Sequence, residues 1–244
     1  MKPAIGSLRV FDDLRALARG GADWIAELAR NSTGRFVVAL SGGSTPKPLY
    51  QHLAEEPIRS SFPWERTHWV LGDERFVPPS DPASNFGMIC AAFLSHVPAP
   101  KENVHPVPFQ GLTLDQAADH YEKTLQSLYG SASFDPSRLL FDVCLLGLGE
   151  DGHTASLIPG QPVLEERKRW VAGVGHGRPE PRITLTYPVL ESSRIVAFLV
   201  SGEAKRQILD EVLSGGSTVP AARLKPVGGV TWFADRAAAG RWAV

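Results

Sequence analysis

The chain has 244 residues, enough for one α/β domain with a full core and too few for more than two small ones. Its formal net charge is −1, so no basic field favours nucleic acid or an anionic membrane surface. The two cysteines, Cys90 and Cys144, stand far apart among apolar residues, as reduced core positions do, which excludes a disulfide framework and a paired-cysteine metal site.

Residues 11–30 carry Leu14, Leu17, Ala18, Ile25 and Leu28 at mostly helical spacing, weakened in the middle by Gly20-Gly21. Residues 36–40 are an unbroken apolar strand of the kind that parallel sheets bury on both faces, and 46–54 follow as a helix with proline near its first turn. The second strand covers 68–71, and helices are expected over 85–94 and 114–128. Strands at 141–146, 195–200 and 230–233 and a helix over 203–213 complete the pattern. Pro78-Pro79 and the proline-rich stretch 98–108 read as long surface loops, and Arg167-Lys168-Arg169 reads as a solvated helix face. Strands alternating with helices predict a single domain over 1–244, with a mostly parallel sheet covered by helices on both faces. The N-terminal stretch is polar without an apolar signal core, and the longest apolar run, 195–200, is too short for a bilayer, so a cytoplasmic protein is expected.

Chemistry concentrates where strands end. Ser41-Gly42-Gly43-Ser44-Thr45-Pro46 joins a strand to a helix, and its small residues, hydroxyls and helix N-terminus suit an anion, although the spacing is not that of a Walker loop. In Gly72-Asp73-Glu74-Arg75, Arg75 can hold a phosphate and Asp73 can orient hydroxyls or act as a base; alone, such a tetrapeptide is more often a surface charge cluster. Gly147-x-Gly149-x-x-Gly152 matches the dinucleotide fingerprint in letters, but Pro159-Gly160 leaves no room for the helix that the fingerprint requires. The same turn delivers His153 beside Glu150 and Asp151, the setting of an oriented general base. Arg178, Arg182 and Lys205 add cations near loops or helix starts, each alone an ordinary solvated side chain. No HExxH or paired Cys/His spacing and no GxSxG elbow occurs, which argues against a zinc site and a serine nucleophile. The residues by themselves describe an α/β domain holding a small phosphate ester beside a histidine-acid pair.

Five blocks, in order along the chain, resemble the 6-phosphogluconolactonase family. They are Leu40-Ser41-Gly42-Gly43-Ser44-Thr45-Pro46; Gly72-Asp73-Glu74-Arg75-Phe76-Val77-Pro78 with Ser84-Asn85 after it; the run from Leu146 through Gly149, Glu150, Asp151, Gly152 and His153 to Leu157; Arg182-Ile183-Thr184-Leu185-Thr186; and the run from Phe198 to Lys205. The resemblance implies a Rossmann-like sheet and hydrolysis of 6-phospho-D-glucono-1,5-lactone without metal or organic cofactor. It implies a small sugar-phosphate partner, no nucleic acid or membrane, and a monomer or weak dimer. It also implies His153 as the base, Asp151 or Glu150 orienting it, and Asp73 as the alternative base. Gly42, Gly43, Ser44, Thr45, Arg75, Asn85, Gly149, Arg178, Arg182 and Lys205 would hold the substrate. The family commonly carries a lysine just before its Arg-Ile-Thr-Leu-Thr block, where this chain has Arg178 with a one-residue shift.

Two other readings share the fold. A glucosamine-6-phosphate deaminase resembles Gly-His-Ile-Ala-Phe-Asn-Glu at the turn, whereas here Gly152-His153-Thr154-Ala155-Ser156-Leu157-Ile158 lacks the Asn-Glu pair. A sugar-phosphate sensor domain is disfavoured because, with the first strand expected at Phe36, one helix alone precedes the sheet. The absence of metal-ligand spacing predicts that exhaustive chelation leaves lactone hydrolysis intact; loss restored by one specific divalent ion would overturn it.

Overall fold

A computed structural model describes residues 3–135 and 137–243. The strands are β1 (Ser7–Phe11), β2 (Phe36–Leu40), β3 (Thr67–Leu71), β4 (Asp73–Arg75), β5 (Val104–His105), β6 (Phe141–Gly147), β7 (Val171–Val174), β8 (Arg182–Leu185), β9 (Ser193–Val200) and β10 (Val230–Asp235). The helices are α1 (Leu14–Asn31), α2 (Lys47–Leu53), α3 (Ile58–Ser61), α4 (Asn85–Ile89), α5 (Leu114–Tyr129), α6 (Tyr187–Glu191), α7 (Arg206–Ser214), α8 (Pro220–Arg223) and α9 (Arg236–Ala239).

Every residue of β2 is buried, as the unbroken apolar run requires, because helices cover both faces of the sheet it belongs to. That sheet has seven parallel strands in the order β1-β10-β9-β6-β2-β3-β5. The chain leaves the centre in two directions, through β2, β3 and β5 on one side and through β6, β9 and β10 on the other. The boundary between β2 and β6 is therefore a topological switch point, where the loops at the strands' carboxyl ends diverge and leave a crevice. A second, antiparallel sheet of order β4-β8-β7 stands beside that crevice.

Several elements depart from the sequence reading. The first strand is β1 and not β2: Ser7-Leu8-Arg9-Val10-Phe11 forms the edge next to β10, and its mixed composition presents no continuous apolar run. The disfavouring of a sensor domain on the grounds of a first strand at Phe36 thus loses that support. The stretch 98–108 is not all loop, because Val104 and His105 pair with β3 as β5. Arg167-Lys168-Arg169 lies beyond a short 3₁₀ helix (Pro162–Glu165) and not on a helix face; Arg169 pairs with Asp119, and the Arg167 guanidinium sits 4.8 Å from the centre of the Tyr187 ring. Helix α1 runs unbroken through Gly20-Gly21, where the Phe11 ring and Leu49 pack against bare backbone.

Two buried tyrosines fasten the strand ends that border the crevice. The Tyr50 hydroxyl accepts from the Ser41 N–H at 3.0 Å and donates to the Ser41 carbonyl at 2.7 Å. The Tyr121 hydroxyl likewise accepts from the Leu71 N–H at 2.7 Å and donates to its carbonyl at 3.0 Å. Burial pushes both phenols above their ordinary range, so each hydroxyl keeps the proton it donates. Tyr50→Phe and Tyr121→Phe should each destabilise the protein by about 1–3 kcal/mol, the cost of leaving a buried backbone group unpaired. Urea unfolding with unchanged midpoints would show that these hydroxyls do not hold the strand ends.

Candidate active site

The turn after β6 is built around a close approach. The Gly149 N–H donates to the His153 carbonyl at 2.8 Å, and the Gly152 N–H donates to the Gly149 carbonyl at 3.0 Å. A side chain at Gly149 has no room: its Cβ would lie 2.0 Å from His153 Nδ1 and 2.7 Å from Asp151 Oδ1. No helix opens at Gly152, so the dinucleotide reading fails on the ground the sequence analysis raised.

His153 Nδ1 lies 2.5 Å from Asp151 Oδ1, and Arg178 Nη2 donates to Asp151 Oδ2 at 2.6 Å. An ionised carboxylate only accepts, so the imidazole carries its proton on Nδ1. Nε2 then has a free lone pair and no protein hydrogen bond among the described residues. Partial burial pushes the Asp151 carboxyl up, but the hydrogen bonds from His153 and Arg178 outweigh it and hold the group well below the usual carboxylate range. Of the two acids expected to orient the imidazole, Asp151 does so; Glu150 Oε1 lies 3.8 Å from Lys205 Nζ.

β4 follows β3 after Gly72, whose N–H donates to the Leu40 carbonyl and whose carbonyl accepts from the Leu185 N–H. Gly72-Asp73-Glu74-Arg75 is not a surface cluster, because Asp73 and Glu74 are both buried. Asp73 Oδ2 accepts from Ser156 Oγ at 2.6 Å and lies 4.0 Å from Arg182 Nη1, while Asn85 Nδ2 donates to the Asp73 carbonyl at 2.9 Å and reaches Oδ1 at 3.4 Å. Glu74 points the other way, as strand alternation requires. Its carboxylate accepts from the N–H groups of Arg75, Asn85 and Phe86, each at 2.7 Å, and from Ser84 Oγ at 3.1 Å. Burial nonetheless raises its pKa against all four.

The register of β4 against β8 sets Arg75 opposite Arg182. Arg75 Nη1 donates to the Ala83 carbonyl at 2.6 Å, but the Nε–H groups of both arginines are buried without a protein partner. Like charges across a strand pair are unfavourable, so this arrangement suits an anion.

These elements enclose a cavity of about 190 Å³ lined by Ser41, Gly42, Gly43, Asp73, Arg75, Asn85, Gly147, Leu148, Gly149, His153, Ala155, Arg182 and Lys205. Gly42 must lack a side chain because its Cβ would lie 1.9 Å from Asn85 Oδ1. Of the expected site residues, Ser44, Thr45, Glu150, Asp151 and Arg178 do not line the cavity. Ser44 is exposed where the loop turns into α2, and Arg178 is drawn away by Asp151. Ser41 and Gly147, from loops the sequence pointed to, line it along with Leu148 and Ala155 although none of the four was among the expected site residues, and Ser156 supports it from behind. Ala155 adopts a left-handed backbone, φ 47°, which its residue type does not announce. A larger groove of about 600 Å³, bordered by Arg15, Arg19, His52 and Glu55 between α1 and α2, lies away from the strand ends. No group of three or more His, Cys, Asp or Glu side chains able to hold a metal occurs among the described residues, and none of the described helices is long and apolar enough to cross a membrane.

Residues 12–233 match the family model described as glucosamine-6-phosphate isomerases/6-phosphogluconolactonase. The chain is 40% identical over 242 residues to a 6-phosphogluconolactonase of Nostoc sp., covering 95% of this chain and 96% of that one. It is 35% identical over 248 residues to the Homo sapiens 6-phosphogluconolactonase, covering 97% and 94%. The solved structure of 6-phosphogluconolactonase from Trypanosoma cruzi superposes with a TM-score of 0.82 at 28% identity, covering 98% of this chain and 97% of that one.

The depressed pKa of Asp151 fixes the sign of a stability test. A carboxyl whose pKa is lower folded than unfolded contributes stability above its unfolded value of about 3.9, and loses that contribution as pH falls through the folded value. Wild type should therefore exceed Asp151→Asn in stability at pH 7 and lose part of that margin below about pH 4. A margin independent of pH in urea titrations would show that these hydrogen bonds do not stabilise the ionised form.

Proposed function

Because the chain belongs to the glucosamine-6-phosphate isomerase/6-phosphogluconolactonase family, we propose that it hydrolyses 6-phospho-D-glucono-1,5-lactone to 6-phosphogluconate in the oxidative pentose phosphate pathway. The observation that carries the reading is a single cavity holding an oriented imidazole together with two guanidinium groups whose buried Nε–H donors lack a protein partner.

The phosphate lies against Arg75 and Arg182, with Lys205 adding a third charge and Gly42, Gly43 and Asn85 bordering the sugar. Binding the phosphate relieves the repulsion between the paired arginines and places C1 of the lactone beside His153, so remote binding energy is used for orientation. Nε2 of His153 takes a proton from water as the water oxygen bonds to C1. The C1–O5 bond then breaks, and the imidazolium returns the proton to the departing ring oxygen. Such a base contributes about 10²- to 10⁴-fold.

Asp73 is the less suitable base. Its carboxylate already accepts from Ser156 and lies within reach of Asn85 and Arg182, so it anchors the cavity wall. Glucosamine-6-phosphate deamination lacks a specific support in this site, since the turn after Gly152 does not carry the Asn-Glu pair.

The test is a coupled assay on freshly made lactone, reading 6-phosphogluconate above the spontaneous background. His153→Ala should lower kcat by about 10²-fold or more. Arg75→Ala should lower kcat/KM by about 10- to 100-fold, the loss of one charge-assisted contact, and unphosphorylated gluconolactone should be a poor substrate. Equal turnover of the two lactones would remove the phosphate site, and a fully active His153→Ala would remove the base.

Gly149→Ala provides a separate check, since it touches no reacting atom. It should reduce kcat as His153→Ala does, by displacing the imidazole from Asp151. Unchanged kcat would show that the close approach at Gly149 is irrelevant to the reaction.

A further inference from the structure

The family resemblance puts a cation near position 178 in the phosphate hold, yet the Arg178 guanidinium does not border the cavity. Its Nη1 donates to the Gly177 carbonyl at 3.0 Å, and its Nη2 donates to Asp151 Oδ2 at 2.6 Å while lying 3.2 Å from His153 Nδ1. The geometry points to Arg178 as a positioning residue that keeps His153 in its neutral, proton-accepting form, and not as a ligand of the substrate phosphate. This inference rests on the lactonase reading, in which His153 is the base.

The argument is one of donors and charge. Asp151 has two carboxylate oxygens, and each takes one donor: Oδ1 the imidazole N–H, Oδ2 the guanidinium. A carboxylate bonded to imidazole alone stabilises the imidazolium and so favours a histidine already protonated before water arrives. A fixed positive charge 3.2 Å from Nδ1 acts in the opposite sense. Because Nδ1–H is already directed to Oδ1, Arg178 meets the ring as a charge and not as a hydrogen-bond donor. The result is an imidazole with a fixed tautomer and a bare Nε2, held between one carboxylate oxygen and one fixed cation.

The other charged groups around the imidazole are largely engaged among themselves. On its own turn, Glu150 faces Lys205, which comes from the segment after β9, at 3.8 Å. From the segment entering β8, Glu180 faces Arg182 at 3.8 Å. From β4, Asp73 lies 4.0 Å from Arg182, and Arg75 is bonded to the Ala83 carbonyl. Arg178 is thus the cation in direct contact with the histidine-aspartate pair among the described residues. Its reach explains why an arginine suits this place: the planar fork touches a backbone carbonyl and a carboxylate at once, which a lysine ammonium at the same stem length does not do with fixed geometry.

Two measurements decide the matter, one of which needs no substrate. In the free protein, the His153 ring proton resonance, assigned by its absence in His153→Gln, is titrated by NMR. Arg178→Gln should raise the His153 midpoint by about one pH unit, Asp151→Asn should lower it, and Arg178→Lys should move it less than Arg178→Gln does. A merely structural role does not produce shifts of opposite sign from the two halves of one ion pair. In the lactone assay, the acid limb of kcat/KM for Arg178→Gln should move upward with the NMR midpoint, with KM for the phosphorylated lactone within about twofold of wild type. An unmoved His153 midpoint overturns the inference. So does a tenfold rise in KM with loss of selectivity over the unphosphorylated lactone, the signature of a phosphate contact. Absence of lactone hydrolysis in wild type would instead sink the lactonase reading, while the substrate-free titration still decides what Arg178 does to His153.

Discussion

Everything at the strand ends is arranged around the buried carboxylate of Asp73. It sits two residues past the end of β3, where the main sheet has ended and the small antiparallel sheet begins, and Ser156, Asn85 and Arg182 converge on it from three separate elements. Those contacts join the turn after β6, the start of α4 and strand β8 into one wall. Removing the charge would leave Arg182 facing Arg75 without the carboxylate that lies 4.0 Å from it, in a site where burial already penalises the Arg182 guanidinium.

Glu74 shows how one tripeptide serves two sides of a wall. Strand alternation turns Asp73 and Arg75 toward the cavity and Glu74 away from it. Its carboxylate receives four donors, two of them from the backbone at the start of α4, so the entry to that helix and the position of Asn85 are set by a residue that never touches the cavity. An amide in its place would present an N–H to backbone groups that are themselves donors, a mismatch at a buried position.

What could be read in advance follows from burial. β2, β6 and β9 are apolar on both faces and announce themselves as continuous runs. β1 alternates Leu8, Arg9 and Val10 on an edge, β4 and β8 are short and partly polar, and β7 is four residues with a glycine inside, so neither periodicity nor length marks them. The loops at the strand ends, and the nearness of His153 to Asp151, were visible because both are local in the chain. The attachment of Arg178 to Asp151 was not, since 27 residues separate them and nothing in a glycine- and proline-rich segment tells which way its side chain turns. Ser156 and Glu74 stayed hidden for a related reason: a serine or glutamate carries no mark of being buried until its partners, far away in sequence, are in place.

The pairing of β1 with β10 has a consequence for how the molecule is made. Ser7–Phe11 finds its only neighbouring strand among the described residues at Val230–Asp235, and the Phe11 ring stacks on Phe233 at 5.8 Å. On the ribosome, this segment must therefore wait until Val230–Asp235 has been synthesised before its backbone donors and acceptors are matched. Contacts of such sequence separation close last and slow the search for the native state. During that interval β1 is an open strand available to other nascent chains, and Arg9, which in the finished protein lies over Trp24 and Phe233, is the charge within that strand that discourages such pairing.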